Sequence, residues 1–558
     1  MPVLTAVDVL GIQRYVFGSS RLRDVLASSW MVSHVTEREQ LVQWAELPSS
    51  AVLLAAGGNA IIEFDTIEQA RDWSACYSRW LHETAPGLDV VVAHRPYEAQ
   101  SLAWALRVLQ VDVARAKYGR APNMPQLGLS VTASCSNTGL PATNMDHGEL
   151  VSSGVHQLRM CVDNARARWA NFVSSLEPMP GWRADFPDEI DHMGRTYGQS
   201  SLVGVVHVDG NGVGRRIKRW LERCLEQGTD DESIRAQYHE WSDAIDRAGH
   251  SALLTAVRRV ASCIQIEDDH CVLRGTPVEL GYRLHDWRDD RTHRRARQTV
   301  LLPLRPVLLG GDDLTFLCDA RIALDLAAAT LQEFERHEIP HLGDDGASTT
   351  LTACAGVALV KAHAPFHRSY EIAEDLCRNA KRARTVANQD AAMETGGWLD
   401  WHIGTTRPGE SVAQIREREY SRGNIELTMR PFPVTGPSNR IQTWAWLDNE
   451  LLGPPSDGGA RGLRGAHCWA GSRNRVKALG SVVVGGAHEV ERQIGAWRAT
   501  ESTIQLPGAL DDSGYLGQKT PLLDAVEMFD LHLRLKPDFR VAGTASEPSG
   551  NAAEEMSR

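Results

Sequence analysis

The segment Gly310-Gly311-Asp312-Asp313 sets two adjacent carboxylates behind two glycines, with apolar runs on both sides. This pattern predicts a buried hairpin whose turn projects both carboxylates, while the glycines leave room for a phosphate or a base to approach the backbone. Two carboxylates about 4 Å apart repel each other by roughly 1–4 kcal/mol, and a divalent cation relieves that repulsion. Because the donors are all oxygens, the pattern favours Mg²⁺ or Mn²⁺.

A third carboxylate, Asp209, ends a β-branched strand predicted over residues 202–208. In an antiparallel sheet this strand end can lie beside the hairpin turn. Asp209, Gly210, Asp312 and Asp313 are therefore the predicted metal ligands, and the three Asp residues are the predicted catalytic residues. Such a site can activate a 3′-hydroxyl and neutralise a leaving pyrophosphate. The alternative is an ordinary turn, because Gly and Asp are both favoured in turns.

Two further features suit a bound phosphate. The glycine turn after Asp209 opens a predicted helix, and the free amides at a helix N-terminus attract phosphate, although the spacing is not that of a Walker loop. Lys381 lies on a helix predicted over 369–387, as a candidate phosphate clamp or as a solvated lysine on a helix face. The predicted nucleotide-binding residues are Gly57, Gly58, Asn59, Gly210, Asn211, Gly212, Gly214, Gly310, Gly311 and Lys381.

The sequence also contains His337-Glu338-Ile339-Pro340-His341, which matches the zinc-protease pattern H-E-x-x-H. That chemistry needs both histidines on one face of an unbroken helix. Pro340 would interrupt such a helix, so we predict a helix end and a loop at this segment.

Composition limits the class of protein. The chain has 558 residues, of which 42% are hydrophobic and 23% are charged, with a formal net charge of −12. This is typical of a soluble protein of two or three domains, and it argues against a broad, sequence-independent grip on nucleic acid. Ten scattered cysteines without a C-x-x-C pair, no secretory leader and no long apolar run predict a cytoplasmic protein outside the membrane.

The order of predicted elements occurs twice. Strand, helix, glycine hairpin, helix and strand follow one another from residue 3 to a strand near 127–133, and again from 202 to 387. This predicts an α+β fold with two copies of one ferredoxin-like unit. The copies are joined by a segment with a helix near 155–176, and a charged insertion at 286–298 is predicted to be exposed. Helices dominate the C-terminal part.

Several segments resemble the large polymerase-like subunit of type III CRISPR effector complexes, the family that makes cyclic oligoadenylates from ATP. They are DVLGIQRYVFGSSRLRDVLASSWMV, VVHVDGNGVGRRI, LLGGDDLTFLCD, LTACAGVALVKAHAPFHRSYEIAEDLCRNAKRAR, LDWHI and LTMRPFPV. The resemblance spans roughly residues 1–435. The glycine–Asp hairpin is also shared with GGDEF diguanylate cyclases, so the order of the segments is more specific than the tetrad.

The resemblance implies two palm domains related to class III cyclases. It makes 1–135 a degenerate first palm, 136–200 a linker and helical region, 201–400 the catalytic second palm, 401–540 a mostly helical domain and 541–558 a disordered tail. In the second palm, Lys381 would contact phosphate. The first palm keeps Asp8 but has Asn59-Ala60 in place of the Asp pair, and it would seat the acceptor nucleotide.

The chain departs from the family pattern in two ways. We expect neither the N-terminal HD nuclease domain nor the cysteine-ligated zinc module that the family often carries, and Asn211 stands where many relatives have an acidic residue. The number of metals therefore stays open, as does membership of an RNA-guided complex.

Three functional hypotheses follow. The first is a nucleotidyltransferase that joins ATP 3′–5′ into a cyclic or linear oligoadenylate for antiviral signalling. RNA or CRISPR-type protein subunits would activate it, and an effector would respond to the messenger. The second is a cyclase that makes a cyclic mono- or dinucleotide. The third is a nucleotide-binding scaffold without catalysis.

Overall fold

The computed structural model describes most of the chain. The described residues are 1–19, 21–43, 47–120, 128–176, 182–193, 202–267, 270–276, 280–283, 298–390, 396–404, 407, 409–435, 441–453 and 461–536. Helices and strands are mixed along this length, which confirms the α+β class. The charged insertion lies outside the described residues except for its last residue, and the predicted disordered tail lies wholly outside them.

The first unit contains four strands and five α-helices among its described residues, together with a 3-10 turn at Ser49–Ala51. They are β1 (Val3–Leu10), α1 (Ile12–Val16), α2 (Leu22–His34), α3 (Arg38–Val42), β2 (Val52–Ala56), β3 (Asn59–Phe64), α4 (Ile67–Thr84), β4 (Asp89–Pro96) and α5 (Leu102–Gly119). The sheet order is β2-β3-β1-β4, and every neighbouring pair is antiparallel. Gly57 and Gly58 turn the β2–β3 hairpin with φ of 57° and 85°, a region that glycine adopts without strain.

A connecting segment follows the first unit. It contains β5 (Asn144–Asp146), β6 (Glu149–Val151), α6 (Ser153–Met160), α7 (Val162–Ser174) and β7 (Trp182–Asp185). The single helix predicted near 155–176 is therefore two helices. The strand predicted near 127–133 is wrong, because residues 128–133 form turns and irregular structure and β4 already completes the first sheet.

The second unit repeats the order of the first with longer insertions. Its elements are β8 (Leu202–Gly210), α8 (Val213–Gln227), α9 (Asp231–Ala261), β9 (Ile264–Glu267), β10 (His270–Leu273), β11 (Gly275–Thr276), β12 (Leu280–Arg283), β13 (Gln298–Leu301), β14 (Leu304–Gly310), β15 (Asp313–Asp319), α10 (Ala323–Phe334), β16 (Glu338–Ile339), β17 (Thr349–Thr350), β18 (Ala353–Lys361), α11 (Phe366–Asp390) and β19 (Trp398–Ile403). The long helix α9 ends at Ala261, and the chain continues three residues later as strand β9.

The second sheet has six strands in the order β14-β15-β8-β18-β19-β22, where β22 is Phe432–Pro433. Its first four strands correspond in order and direction to β2-β3-β1-β4. β19 adds to β18 in parallel. The boundary predicted at residue 400 falls inside β19, so the sheet draws on chain beyond it.

The remaining described elements are mainly short helices. They are α12 (Val412–Tyr420), β20 (Ser421–Arg422), β21 (Ile425–Glu426), α13 (Trp444–Trp446), a π-helical turn (Leu447–Leu452), α14 (Gly462–Gly465), α15 (His467–Ala470), α16 (Arg473–Val483), α17 (Ala487–Thr500), α18 (Leu522–Leu531) and β23 (Arg534–Leu535). Among the described helices, none combines the length and the apolar character needed to cross a bilayer.

The two sheets share buried packing. One cluster of buried side chains joins Val7 and Met31 of the first unit to Val205, Leu317 and Leu376 of the second. Apolar burial of this kind is the main stabilising term in folding, and it fixes the two units relative to each other. The two glycine hairpins consequently meet at one place.

Candidate functional site

The register of the second sheet brings the three predicted carboxylates together. Leu314 pairs with Val208, so the next position along sets Asp313 beside Asp209. Gly210 and Asp312 are also in close contact. A Cβ atom built on Gly210 would lie only 2.3 Å from Asp312 Oδ2. The absence of a side chain at Gly210 thus allows the Asp312 carboxylate to sit against the strand end.

This crowding changes the ionisation of the hairpin. Burial, reinforced by the Asp209 carboxylate, raises the pKa of Asp312 to about 6 and that of Asp313 to about 7. Asp313 Oδ1 is buried and has no hydrogen-bond partner. Groups of this kind favour the protonated form unless a cation approaches them. The oxygen donors and the unpartnered Oδ1 fit a hard divalent cation such as Mg²⁺ or Mn²⁺.

Lys381 of α11 lies directly on the strand end. Its Nζ is 2.5 Å from Asp209 Oδ2 and donates a hydrogen bond of 2.7 Å to the carbonyl oxygen of Gly210. The ammonium therefore neutralises part of the carboxylate charge and contacts two of the four predicted metal ligands. Within the described part of the chain, no group of three or more His, Cys, Asp and Glu side chains is already arranged to hold a metal ion.

His207 is a neighbour of the site that the sequence analysis did not single out. It lies two residues before Asp209, and alternate residues of a strand share one face. Burial lowers the pKa of His207 to about 4, so the ring is neutral near pH 7. Its Nδ1 lies 3.1 Å from Thr315 Oγ1 and 3.5 Å from Asp313 Oδ1. The position of His207 two residues before Asp209 on a predicted strand could have indicated that both side chains lie on the same face.

The side chain of Asn211 points into the protein interior, whereas the sequence predicted that Asn211 contacts a nucleotide. The side chain is 6% exposed. Its Nδ2 donates to Thr352 Oγ1 at 3.1 Å, and its Oδ1 accepts from Cys354 Sγ at 3.2 Å. Both ends of the amide are therefore occupied, and Asn211 anchors the turn after Gly210 instead of facing a ligand.

The glycine turn that follows leads into α8. Gly212 caps this helix with a φ of 70°, which explains the glycine there. A Cβ atom on Gly214 would meet nothing within 4 Å, so the first turn of α8 is open.

A cavity of about 680 Å³ lies between the two units, and both contribute to its wall. The second unit supplies the tetrad Gly310 to Asp313, and the first supplies Asp8, Gly57, Asn59 and Lys117. Asp209, Gly210 and Lys381 are not part of the wall. Asp246 of α9 also lines the cavity and was missed, because a lone Asp on a long helix has no local signature.

The first unit has an altered version of the same strand end. On β1, Asp8 pairs with Asn59 of β3. In the hairpin of the first unit Ala56 pairs with Asn59, and in the hairpin of the second unit Gly310 pairs with Asp313. Asn59 therefore corresponds to Asp313, and Gly58 corresponds to Asp312. The expected match of Asn59-Ala60 to the Asp pair was wrong by one residue, because it ignored the register of the hairpin.

The remaining parts of this strand end support that correspondence. Ala60 is buried, and a Cβ atom on Gly58 would lie 2.9 Å from Ile12 Cδ1, so both positions face the interior of the first unit. Lys117 Nζ lies 2.6 Å from Asp8 Oδ2. Each unit thus has an Asp–Lys pair at the end of its first strand, and only the second adds hairpin carboxylates.

Close packing gives a further reason for the glycines of both hairpins. A Cβ atom on Gly310 would lie 2.8 Å from the Cα of Gly57, so the two turns contact each other through backbone. A Cβ atom on Gly249 of α9 would lie 1.9 Å from the carbonyl oxygen of Gly311. The space around Gly310 and Gly311, which was predicted to admit a ligand, is thus partly filled by Gly57 and α9.

The zinc-protease pattern is excluded by local structure. Glu338 and Ile339 form strand β16, and His341 Nε2 lies 2.7 Å from Glu240 Oε2. The predicted helix end is confirmed, because α10 ends at Phe334, but Glu338 and Ile339 form a short strand where a loop was predicted.

Comparisons with known proteins give one kind of match. No protein-family model and no curated protein matches the chain. The Csm1–Csm4 cassette in complex with AMPPNP is similar at 13% identity and a TM-score of 0.45, over 95% of this chain and 69% of that chain. The same cassette in complex with cA3 has 13% identity and a TM-score of 0.47 at the same coverage.

A third solved structure, Csm1 in T. onnurineus, has 12% identity and a TM-score of 0.49, over 95% of this chain and 70% of that chain. All three of these solved structures contain Csm1. At this level of similarity, function has to be argued from the site itself.

Proposed function

We propose that this chain is a metal-dependent nucleotidyltransferase that joins ATP molecules 3′–5′ and releases pyrophosphate. Its product would be a cyclic or linear oligoadenylate that serves as a messenger in antiviral signalling. The observation that carries the proposal is the position of Asp312 and Asp313, beside Asp209 and on the wall of a cavity shared by two similar units. Clustered carboxylates in a cleft are typical of metal-dependent phosphoryl chemistry.

The two units are proposed to be ferredoxin-like palm domains. Their matching strand order supports this, together with the resemblance of the segments around Asp209 and the hairpin. The second palm would be catalytic. The first would be its degenerate partner, because Gly58 and Asn59 bring no charge where Asp312 and Asp313 stand.

Each residue of the site has a proposed task. Asp209, Asp312, Asp313 and the Gly210 carbonyl would hold Mg²⁺ or Mn²⁺, which when bound would activate a 3′-hydroxyl and neutralise pyrophosphate. Lys381 would contact a phosphate, and the open first turn of α8 after Gly212 would direct amides towards the triphosphate.

The acceptor nucleotide would bind against the first palm. Gly57 and Asn59 line the cavity there, together with Lys117 and Asp8. Gly57 leaves backbone exposed to a ligand, and Asn59 offers both a donor and an acceptor to a base or a ribose.

The proposed partners extend beyond ATP. RNA or CRISPR-type protein subunits would activate the enzyme, and a messenger-activated effector would act downstream. Two of the similar solved structures are of a Csm1–Csm4 cassette, so a subunit of the Csm4 kind is the first partner to try.

The decisive experiment identifies the product. Purified protein is incubated with each NTP and Mg²⁺ or Mn²⁺, with and without added RNA, and the products are analysed by mass spectrometry. We expect pyrophosphate and a 3′–5′ oligoadenylate from ATP. A cyclic mono- or dinucleotide would replace the first hypothesis with the second, and no pyrophosphate under any condition would contradict both.

The chain contains a matched control for this assay. Asp344 and Asp345 form another Gly-flanked Asp pair, and Asp344 lies on the surface with a side chain that is 86% exposed. Replacing Asp312 and Asp313 with Asn should lower the turnover number at least 100-fold, whereas the double Asn variant of Asp344 and Asp345 should match wild type. Equal activity of both variants would exclude the hairpin from catalysis.

The scaffold hypothesis keeps one observation in its favour, which is the contact of Lys381 with Asp209 and Gly210. If the protein acts as a scaffold, antiviral protection in cells should survive the change of Asp312 and Asp313 to Ala. Loss of protection together with loss of product would support the enzyme.

A further inference from the structure

Lys381 shares its partners with the proposed metal. Its Nζ contacts Asp209 Oδ2 at 2.5 Å and the Gly210 carbonyl oxygen at 2.7 Å, and its side chain is only 28% exposed. Both partners belong to the four groups proposed as metal ligands. A cation that coordinated them fully would have to displace the ammonium, because two positive charges in contact with the same oxygens repel each other.

The rest of the site shows an excess of negative charge. Asp312 packs against Gly210, and Asp313 Oδ1 is buried without a hydrogen-bond partner. One ammonium stands against three neighbouring carboxylates. Lys381 therefore contacts Asp209, whereas the side chain 3.5 Å from Asp313 Oδ1 is the neutral ring of His207.

The first unit provides an internal comparison. Lys117 of α5 pairs with Asp8 at 2.6 Å, as Lys381 of α11 pairs with Asp209. The Asp–Lys pair thus occurs in a unit whose hairpin carries no carboxylate. It is a feature of the shared architecture, and in the second unit it coincides with the proposed metal ligands.

We propose that Lys381 is a tethered cation that competes with free divalent metal for Asp209 and Gly210, and that a nucleotide phosphate draws it away. This rests on the proposed function and deepens it. Metal alone would bind weakly, because it must displace the ammonium. Metal and nucleotide together would bind strongly, because the phosphate gives Lys381 a new anionic partner. Such coupling is reciprocal, so metal also tightens nucleotide binding by the same factor.

The test measures metal binding without catalysis. Mn²⁺ is titrated into nucleotide-free protein at fixed pH, and free Mn²⁺ is read by electron paramagnetic resonance. Lys381→Met should lower the Kd for Mn²⁺ about tenfold, as expected when a charge in contact with the ligands is removed. Lys381→Arg keeps the positive charge and should bind Mn²⁺ as wild type does.

Lys519→Met is the matched control, because it removes an ammonium that pairs with a single carboxylate, Glu426, outside the proposed site. It should leave the Kd for Mn²⁺ unchanged. The titrations are repeated with α,β-methylene ATP as the probe. In wild type the analogue should tighten Mn²⁺ binding, and in Lys381→Met this tightening should be clearly smaller. A purely structural role for Lys381 would not produce these opposite effects.

The outcomes separate this inference from the proposed function. If wild type binds Mn²⁺, Asp312→Asn abolishes binding, and Lys381→Met binds no more tightly than wild type, competition is overturned while the metal site stands. If no protein binds Mn²⁺ with or without the analogue, both are overturned. Should Lys381→Met not fold, as judged by thermal unfolding, the wild-type titrations decide, since equal Mn²⁺ affinity with and without analogue also overturns the proposal.

Discussion

At the scale of single residues, the hairpin carboxylates link ionisation to stability. The pKa of Asp312 is raised to about 6 by burial and by Asp209, whereas an exposed Asp ionises near 4. Between these pH values the folded protein holds a proton that the unfolded chain has released. The contribution of Asp312 to stability is therefore lost as pH rises from about 4 to about 6.

This predicts a pH-dependent effect of Asp312→Asn. Without metal, the free energy of unfolding of the variant relative to that of wild type should increase by roughly 1–2 kcal/mol as pH rises over that interval. Partial exposure of the carboxyl to solvent keeps this difference small. Urea unfolding in the presence of a chelator, at several pH values, measures the difference. A constant difference between the two proteins would contradict the assigned environment of Asp312.

The sequence predicted the positions of Asp209 and Asp312 better than the orientation of the neighbouring Asn211. The strand end at Asp209 and the turn at Asp312 follow local signals, namely a β-branched run and a glycine hairpin. The burial of Asn211 depends on Thr352 and Cys354, more than 140 residues away. No local pattern carries such a contact, so its orientation could not be predicted from the sequence.

At the scale of elements, Gly249 of helix α9 packs against the hairpin of β14 and β15. Gly249→Ala would bring a methyl group to 1.9 Å from the carbonyl oxygen of Gly311, so the hairpin or the helix must move. We expect a loss of stability of about 1–3 kcal/mol and a lower turnover number. Urea unfolding and the pyrophosphate assay measure the two effects.

Gly495→Ala in α17 is the matched control, because it also replaces a helical glycine and its Cβ would meet nothing within 4 Å. It should stabilise the protein by about 0.5–1 kcal/mol, with unchanged activity. If Gly249→Ala behaved in the same way, the contact between α9 and the hairpin would have no role in positioning the site.

The order of elements was largely predictable, and the added strands were not. Alternation and glycine turns identify both hairpins and the strands beside them. β19 was not predicted as part of the second sheet, because its pairing with β18 is parallel and spans a long helix. The strand expected near 127–133 failed because a short apolar run does not distinguish a strand from irregular chain.

At the scale of the whole molecule, one chain supplies both sides of the cleft. Gly57 and Asn59 of the first unit and Asp312 and Asp313 of the second line the same cavity, and the two hairpins touch through Gly57 and Gly310. An enzyme with half-sites on separate chains would need to dimerise before it could act. In the proposed enzyme, both halves of the site would lie in one chain.

We therefore expect the specific activity to be independent of protein concentration. Initial rates measured over about a 100-fold dilution should be proportional to the amount of protein, as mass action requires for a site within one chain. A specific activity that falls on dilution would show that a second copy completes the site.

The most direct test of the central claim locates the metal. Crystals grown with Mn²⁺ and α,β-methylene ATP are examined by anomalous scattering at the manganese edge. We expect a manganese peak at Asp209, Asp312 and Asp313, with the triphosphate beside it in the cleft between the two units. A well-ordered nucleotide with no manganese at these carboxylates would contradict the account.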